Sequence, residues 1–210
     1  MENNEHHLQQ LREIRQMMVK SSRFLSLSGL SGIVAGIFAL LGAAAAFIYF
    51  DIGLFEPVYT SIHTDYLRSP DFYLFIILDA LAVLVFALFF AAYFTMRKSK
   101  RDGVPLWGYA SKRLVINLLI PLVAGGIFCI ILFEHGLMEF VAPATLVFYG
   151  LALLNASPYT VSDIRYLGVS ELALGLIAMW WPGYGLLFWT IGFGLLHIIY
   201  GGVMYFKYER

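Results

Sequence analysis

The sequence predicts an all-α, polytopic membrane protein of six transmembrane helices, preceded by an amphipathic helix lying at the membrane surface. Three observations carry this prediction. Of 210 residues, 60% are hydrophobic and 13% charged, whereas a soluble domain is about 25% charged. Six apolar runs are close to or above the roughly 20 residues that cross about 30 Å of hydrocarbon. Of the 14 Lys and Arg residues, Arg68 alone lies on the side opposite the rest once six spans are drawn. A closed β-barrel is the other way to satisfy every backbone group in lipid, but these runs lack the alternation that lumen-facing residues impose.

Taken in order, the spans fall at 27–50, 72–96, 114–133, 137–156, 166–182 and 184–206, the fifth being the shortest. Residues 1–26 then form a cytoplasmic N-terminal region, 27–206 the six-helix domain and 207–210 a short cytoplasmic tail. Short loops rich in Lys and Arg stay on the cytoplasmic side. Arg12, Arg15, Lys20 and Arg23 precede span one, Arg97, Lys98, Lys100, Arg101, Lys112 and Arg113 join spans two and three, and Arg165, Lys207 and Arg210 complete that side. Both termini are therefore expected in the cytoplasm, with the chain in the plasma membrane. No short apolar run with a small-residue cleavage site occupies the first 23 residues, so no removable signal peptide is expected.

Residues 5–23 place Leu11, Ile14 and Met18 at helical spacing among charges. This pattern suits an interfacial helix whose basic residues favour anionic lipid. The same residues, with His7 and Leu25, also follow a short heptad that would suit a two-stranded contact.

Several function classes are disfavoured. Net charge is zero, so no overall field draws nucleic acid. The lone Cys129 excludes an intrachain disulfide and a cysteine metal cluster. His63, Asp65, Glu134, His135 and Glu139 have metal-ligand chemistry without a recognised spacing, which reads as a solvated acidic face. One intramembrane histidine cannot supply paired haem ligands. No phosphate-binding loop, nucleophile motif or metalloprotease helix is present. Neither enzyme activity nor a cofactor is expected.

Ionisable residues inside spans are expensive and need a reason. Asp79 lies about 10 Å in from the outer end of span two, Glu171 about 8 Å in from the inner end of span five, and His197 roughly midway along span six, at 1.5 Å per residue. If their helices face one another, the three form a ladder able to pass protons, with Asn117 and Asn155 extending it at the inner mouth. The alternative is structural: a buried carboxyl stays protonated and hydrogen-bonds a neighbouring helix. Ser28, Gly32 and Gly36 recur every fourth residue on span one and favour close helix packing. Pro121 and Pro143, within spans three and four, would kink those helices.

The inward-starting spans open alike: Arg23-Phe24-Leu25-Ser26-Leu27-Ser28 in span one, Arg165-Tyr166-Leu167-Gly168-Val169-Ser170 in span five, and Arg113-Leu114-Val115 in span three. This suggests three helical hairpins of one type, although small and apolar residues also recur by chance in such a composition. In the third hairpin, Glu171 to Ile177 leads into Trp181-Pro182-Gly183, then Trp189-Thr190-Ile191-Gly192-Phe193 and Tyr200-Gly201-Gly202-Val203. Residues 165–206 thereby resemble the two-helix repeat of HdeD-type acid-resistance membrane proteins. The first hairpin departs from that pattern in its loop of about twenty residues. The resemblance implies a three-hairpin architecture and a stress-related role.

Two function classes follow. The first is a non-enzymatic protein that helps the envelope withstand stress or supports a partner. The second is a small-solute transporter or proton-coupled channel using Asp79, His197 and Glu171. The partners expected are the lipid bilayer and a second copy or another membrane protein, with no nucleic acid.

Overall fold

A computed structural model describes residues 23–58 and 69–210. These residues form six helices, α1 (Gly29–Tyr49), α2 (Pro70–Arg101), α3 (Tyr109–Glu134), α4 (Val141–Ala156), α5 (Asp163–Ala178) and α6 (Gly185–Tyr208), and no strand is found among them. Five segments are long and apolar enough to cross a membrane: α1, α2, α3, α6, and α4 together with the short 3₁₀ turns at its two ends. The chain is a multi-pass membrane protein. Leucine, isoleucine, valine and phenylalanine side chains of α2 and α3 stand exposed along most of their length, which suits hydrocarbon as the surrounding solvent.

The helix expected over 5–23 falls, apart from Arg23, outside the described residues. Residues 23–28 are not helical. Instead the Phe24 N–H donates to the Tyr159 carbonyl at 2.7 Å, and the Thr160 hydroxyl donates to the Phe24 carbonyl at 2.9 Å. This strap pins the entry to α1 against the α4–α5 connection.

α2 is longer than the apolar run that predicted it. Ser69 caps it by accepting from the Phe72 N–H at 3.2 Å, Pro70 occupies the first turn, and Lys98, Lys100 and Arg101 lie in the last turn, where the helix dipole favours positive charge. α5 is shorter than the 17-residue span expected over 166–182. Its 16 residues rise about 24 Å, less than the hydrocarbon thickness. It stops at Ala178 because Pro182 disfavours helical geometry in Trp181, and Gly183 then turns the chain with φ +99°. α3 runs unbroken through Pro121, and Pro143 is the third residue of α4, where its missing N–H costs nothing.

Neighbouring helices run antiparallel, and the end at which α1 begins also carries the C-termini of α2, α4 and α6; it is called the basic end below. α1 packs between α2 and α6, α4 between α3 and α5, and α6 also reaches α4 and α5. The pairing of α6 with α1 closes the bundle, and it is made by missing side chains. A Cβ on Gly29 would stand 2.4 Å from the Tyr205 nitrogen, and one on Gly201 would stand 2.6 Å from the Ile33 nitrogen. Gly32 and Gly36 of the small-residue series lie on this same seam, against Gly201 and Gly194.

Two polar locks hold the basic end. In the first, the Glu209 carboxylate accepts from the Ser28 hydroxyl at 3.2 Å and from the Gly29 N–H, so it caps α1. The Lys98 ammonium donates to the Leu27 carbonyl at 2.8 Å and lies 3.7 Å from Glu209, both side chains buried. In the second, Asp163 accepts from Tyr208 at 2.6 Å and from Lys207 at 3.0 Å. Residues 207–209, in the segment expected as a short cytoplasmic tail, thus tie α6 to α1, α2 and α5.

Burial pushes the Asp163 carboxyl up, but the hydrogen bonds from Tyr208 and Lys207 and the Lys207 charge together hold it below the usual carboxylate range. The hydrogen bond to Asp163 holds the Lys207 ammonium above its ordinary value. A lowered carboxyl stabilises the fold fully above its unfolded value near 3.9, and loses that contribution as pH falls through the folded value. A raised ammonium stabilises fully below its unfolded value near 10.4, and loses that as pH rises through the folded one. The stability difference between wild type and Asp163→Asn is therefore expected to stay flat from about pH 5 to 9 at roughly 1 kcal/mol, and to be lost in acid as pH falls through the folded value. Thermal unfolding of both proteins across that range checks this, and a difference that grows on acidification would sink it.

Candidate functional site

The buried stripe of α5 runs Ile164, Leu167, Gly168, Glu171, Gly175 and Ala178, a three-and-four spacing that turns one face inward. Glu171 sits in the middle of it with 0% of its surface exposed. α6 faces it with an interruption, because Thr190–Leu196 is a π-helical segment between two α-helical ones. Such bulges re-aim side chains and leave backbone carbonyls outside the regular ladder. Here the bulge brings the Gly192 carbonyl within 3.0 Å of His197 Nδ1, and the ring is 7% exposed.

The two helices meet at these residues. His197 Nδ1 stands 3.3 Å from Glu171 Oε1, while Nε2 lies 2.8 Å from the Tyr149 hydroxyl of α4. Gly192 leaves room for the carboxyl, since a Cβ there would be 2.5 Å from Glu171 Oε2 and from a Leu146 methyl. Phe193 stacks on His197 at 5.7 Å between ring centres and also touches Tyr149 and Trp189. Neither oxygen of Glu171 accepts a hydrogen bond among the described residues.

A lone charge in such surroundings would be costly, so either the carboxyl carries a proton or His197 serves as its counter-ion. With that proton on the carboxyl, Nδ1–H donates to the Gly192 carbonyl and Nε2 accepts from the Tyr149 O–H. With the proton on the ring, Glu171 is the counter-ion and Nε2–H donates to the Tyr149 oxygen.

Comparison with known proteins adds nothing to this picture. No protein-family model matches the chain, and neither does any curated protein or solved structure. The fold and the site stand on their own geometry.

Of the residues in the expected ladder, the structure joins Glu171 and His197. Asp79 is elsewhere, half-buried on α2 against Gly42 of α1, where a Cβ would lie 3.3 Å from both carboxyl oxygens. Asn117 and Asn155 form a separate clasp at the basic end. Asn155 donates to the Asn117 carbonyl at 2.8 Å, and Asn117 donates to the Arg113 carbonyl at 2.8 Å, tying α4 to α3. Among the described residues, no three His, Cys, Asp or Glu side chains gather closely enough to hold a metal ion.

Sequence reasoning missed Tyr149 and Gly192. A tyrosine in an apolar span reads as a boundary residue, and no residue pattern announces a π-turn. It also missed Glu209, whose role depends on the start of α1, 180 residues away.

Proposed function

We propose that this chain is a non-enzymatic, multi-pass protein of the plasma membrane, with its basic end in the cytoplasm, which supports the membrane or a protein partner within it. The observation that carries this reading is the enclosure of Glu171, which is wholly buried against Leu146, Leu174, Gly192 and His197. Packed in this way, the most polar point of the core joins α4, α5 and α6 rather than opening toward water. The skew of Lys and Arg supports the orientation. A role under envelope stress rests on the resemblance of residues 165–206 alone.

The competing reading is proton transfer through Asp79, His197 and Glu171. It draws support from the 3.3 Å approach of Glu171 to His197, and is weakened by the separate seat of Asp79 on α2. Proton flux into liposomes carrying the purified protein, under an imposed pH gradient, separates the two. Wild-type liposomes are expected to be as tight as empty ones. A flux present in wild type and lost in Glu171→Gln would overturn the accessory reading in favour of transport.

A further inference from the structure

α2 and α3 meet the membrane surface together at the basic end, and the chain that joins them is strongly positive. The apolar run of α2 rises about 36 Å from Phe72 to Met96, enough to cross the hydrocarbon, and that of α3 starts at Leu114. Residues 97–113 therefore lie where hydrocarbon gives way to lipid headgroups. They carry Arg97, Lys98, Lys100, Arg101, Lys112 and Arg113 against one acid, Asp102, in a chain whose net charge is zero.

The fold sorts these charges. Lys98 and Ser99 turn inward and are buried, with Lys98 held by Leu27 and Glu209. Arg97, Lys100 and Arg101, at three- and four-residue spacing, share the opposite face of α2 and are exposed. The connecting loop is tied back at both ends. Gly103, with φ +64°, turns the chain so that the Val104 N–H donates to the Ser99 carbonyl at 3.1 Å, and the Gly108 N–H donates to the Ser111 hydroxyl at 2.8 Å. Lys112 and Arg113 follow near the start of α3, again exposed. Between the two groups of cations, Trp107 is 64% and Tyr109 67% exposed, and Leu106 is exposed beside them. The Arg113 guanidinium lies 4.7 Å above the Tyr109 ring. Indole and phenol rings, each with an apolar body and one polar edge, are at home at headgroup level. A soluble anion would use the cations alone, whereas the apolar surface interleaved with them suits a ligand that has an apolar part as well as a charge.

We propose that residues 97–113 bind the headgroup of an anionic phospholipid. Arg97, Lys100 and Lys112 supply the charge that its phosphate answers, and Leu106, Trp107 and Tyr109 rest against the glycerol and the upper acyl chain. The site holds lipid whether the chain is an accessory protein or a transporter, and it is tested separately from either.

Native mass spectrometry of the full chain in neutral detergent, titrated with dioleoylphosphatidylglycerol or with dioleoylphosphatidylcholine, is the test, because the two lipids share their acyl chains and differ in headgroup charge. The first phosphatidylglycerol is expected to bind about a hundredfold more tightly than the first phosphatidylcholine, about fivefold for each of the three cations. A triple variant with Arg97→Gln, Lys100→Gln and Lys112→Gln should bind the two lipids alike, and one with Arg97→Lys, Lys100→Arg and Lys112→Arg should keep the preference. All three side chains are exposed, so neither variant disturbs the core. Arg23→Gln, Arg165→Gln and Arg210→Gln together remove as many exposed charges from the same end outside the loop, and should also keep the preference. Equal binding of the two lipids by wild type would overturn the proposal. So would an equal loss in the loop variant and in the variant outside the loop, which would mean that charge acts without a site. Displacement of the bound lipid by an equal concentration of inorganic phosphate would overturn it too, since a free anion would then suffice.

Discussion

His197→Ala is expected to cost about 3 to 5 kcal/mol of stability, more than a triple variant in which Tyr149→Phe, Glu171→Leu and His197→Leu make the site wholly apolar. The single change does three things at once. It leaves Glu171 buried with nothing to share its proton, strips the Tyr149 hydroxyl of its partner at 2.8 Å, and opens a gap beside Phe193. Each leaves a polar group or a void uncompensated, and such losses dominate large destabilisations. The triple variant removes every polar side chain together and leaves only the Gly192 carbonyl without its side-chain partner, so its cost should be about 2 kcal/mol or less. Glu171→Gln should be mild, at about 1 kcal/mol, because neither carboxyl oxygen gives up a hydrogen bond. Equilibrium unfolding in mixed detergent micelles would measure all four proteins. A triple variant that loses as much stability as His197→Ala, or more, would mean that the three residues do not act as a unit and that the account of the site is wrong.

Gly201→Val is expected to abolish folding, and Gly201→Ala to cost about 3 kcal/mol, while Gly202→Ala one residue away leaves stability unchanged or raises it by up to about 1 kcal/mol. A Cβ at Gly201 meets only backbone: the Ile33 nitrogen at 2.6 Å, the Gly29 carbonyl at 2.7 Å and the Gly32 carbonyl carbon at 2.9 Å. Backbone atoms in a helix cannot rotate aside as a side chain can, so α1 and α6 would have to separate. Glu209 would then leave the N-terminus of α1 and the side of Lys98, which keeps only the Leu27 carbonyl, so the first polar lock fails with the seam. Gly202 faces open space, and alanine is the better helix former. Thermal melting of the purified variants is the check. Equal losses at the two positions would mean that α1 and α6 do not meet here.

Much of the architecture was legible because the bilayer asks so little of a sequence. Length and apolarity sufficed to place α1, α2, α3 and α6 to within a few residues, since a spanning helix satisfies its own backbone and needs no partner to be recognised. Errors arose at the ends. α2 ran on through Lys98 to Arg101, and α5 stopped short of Pro182, because caps, dipoles and turns set those limits rather than hydropathy. The packing value of Gly32 and Gly36 was also visible, as small residues at four-residue spacing admit a neighbour.

Composition and periodicity alone established a chain of membrane helices, their order, and the presence of three costly groups within them. Tertiary structure alone decided which of those groups meet. Asp79, His197 and Glu171 look alike in one dimension, each an ionisable residue in an apolar run. Glu171 and His197 stand 3.3 Å apart because α5 turns its buried stripe toward a π-turn in α6, and Asp79 remains apart because α2 packs on the far side of α1. The physical reason is that lipid rewards any apolar helix face equally. Which faces touch is therefore set by backbone approach at glycines and by a few polar contacts between residues far apart along the chain, such as Tyr149 with His197 and Gly29 with Glu209.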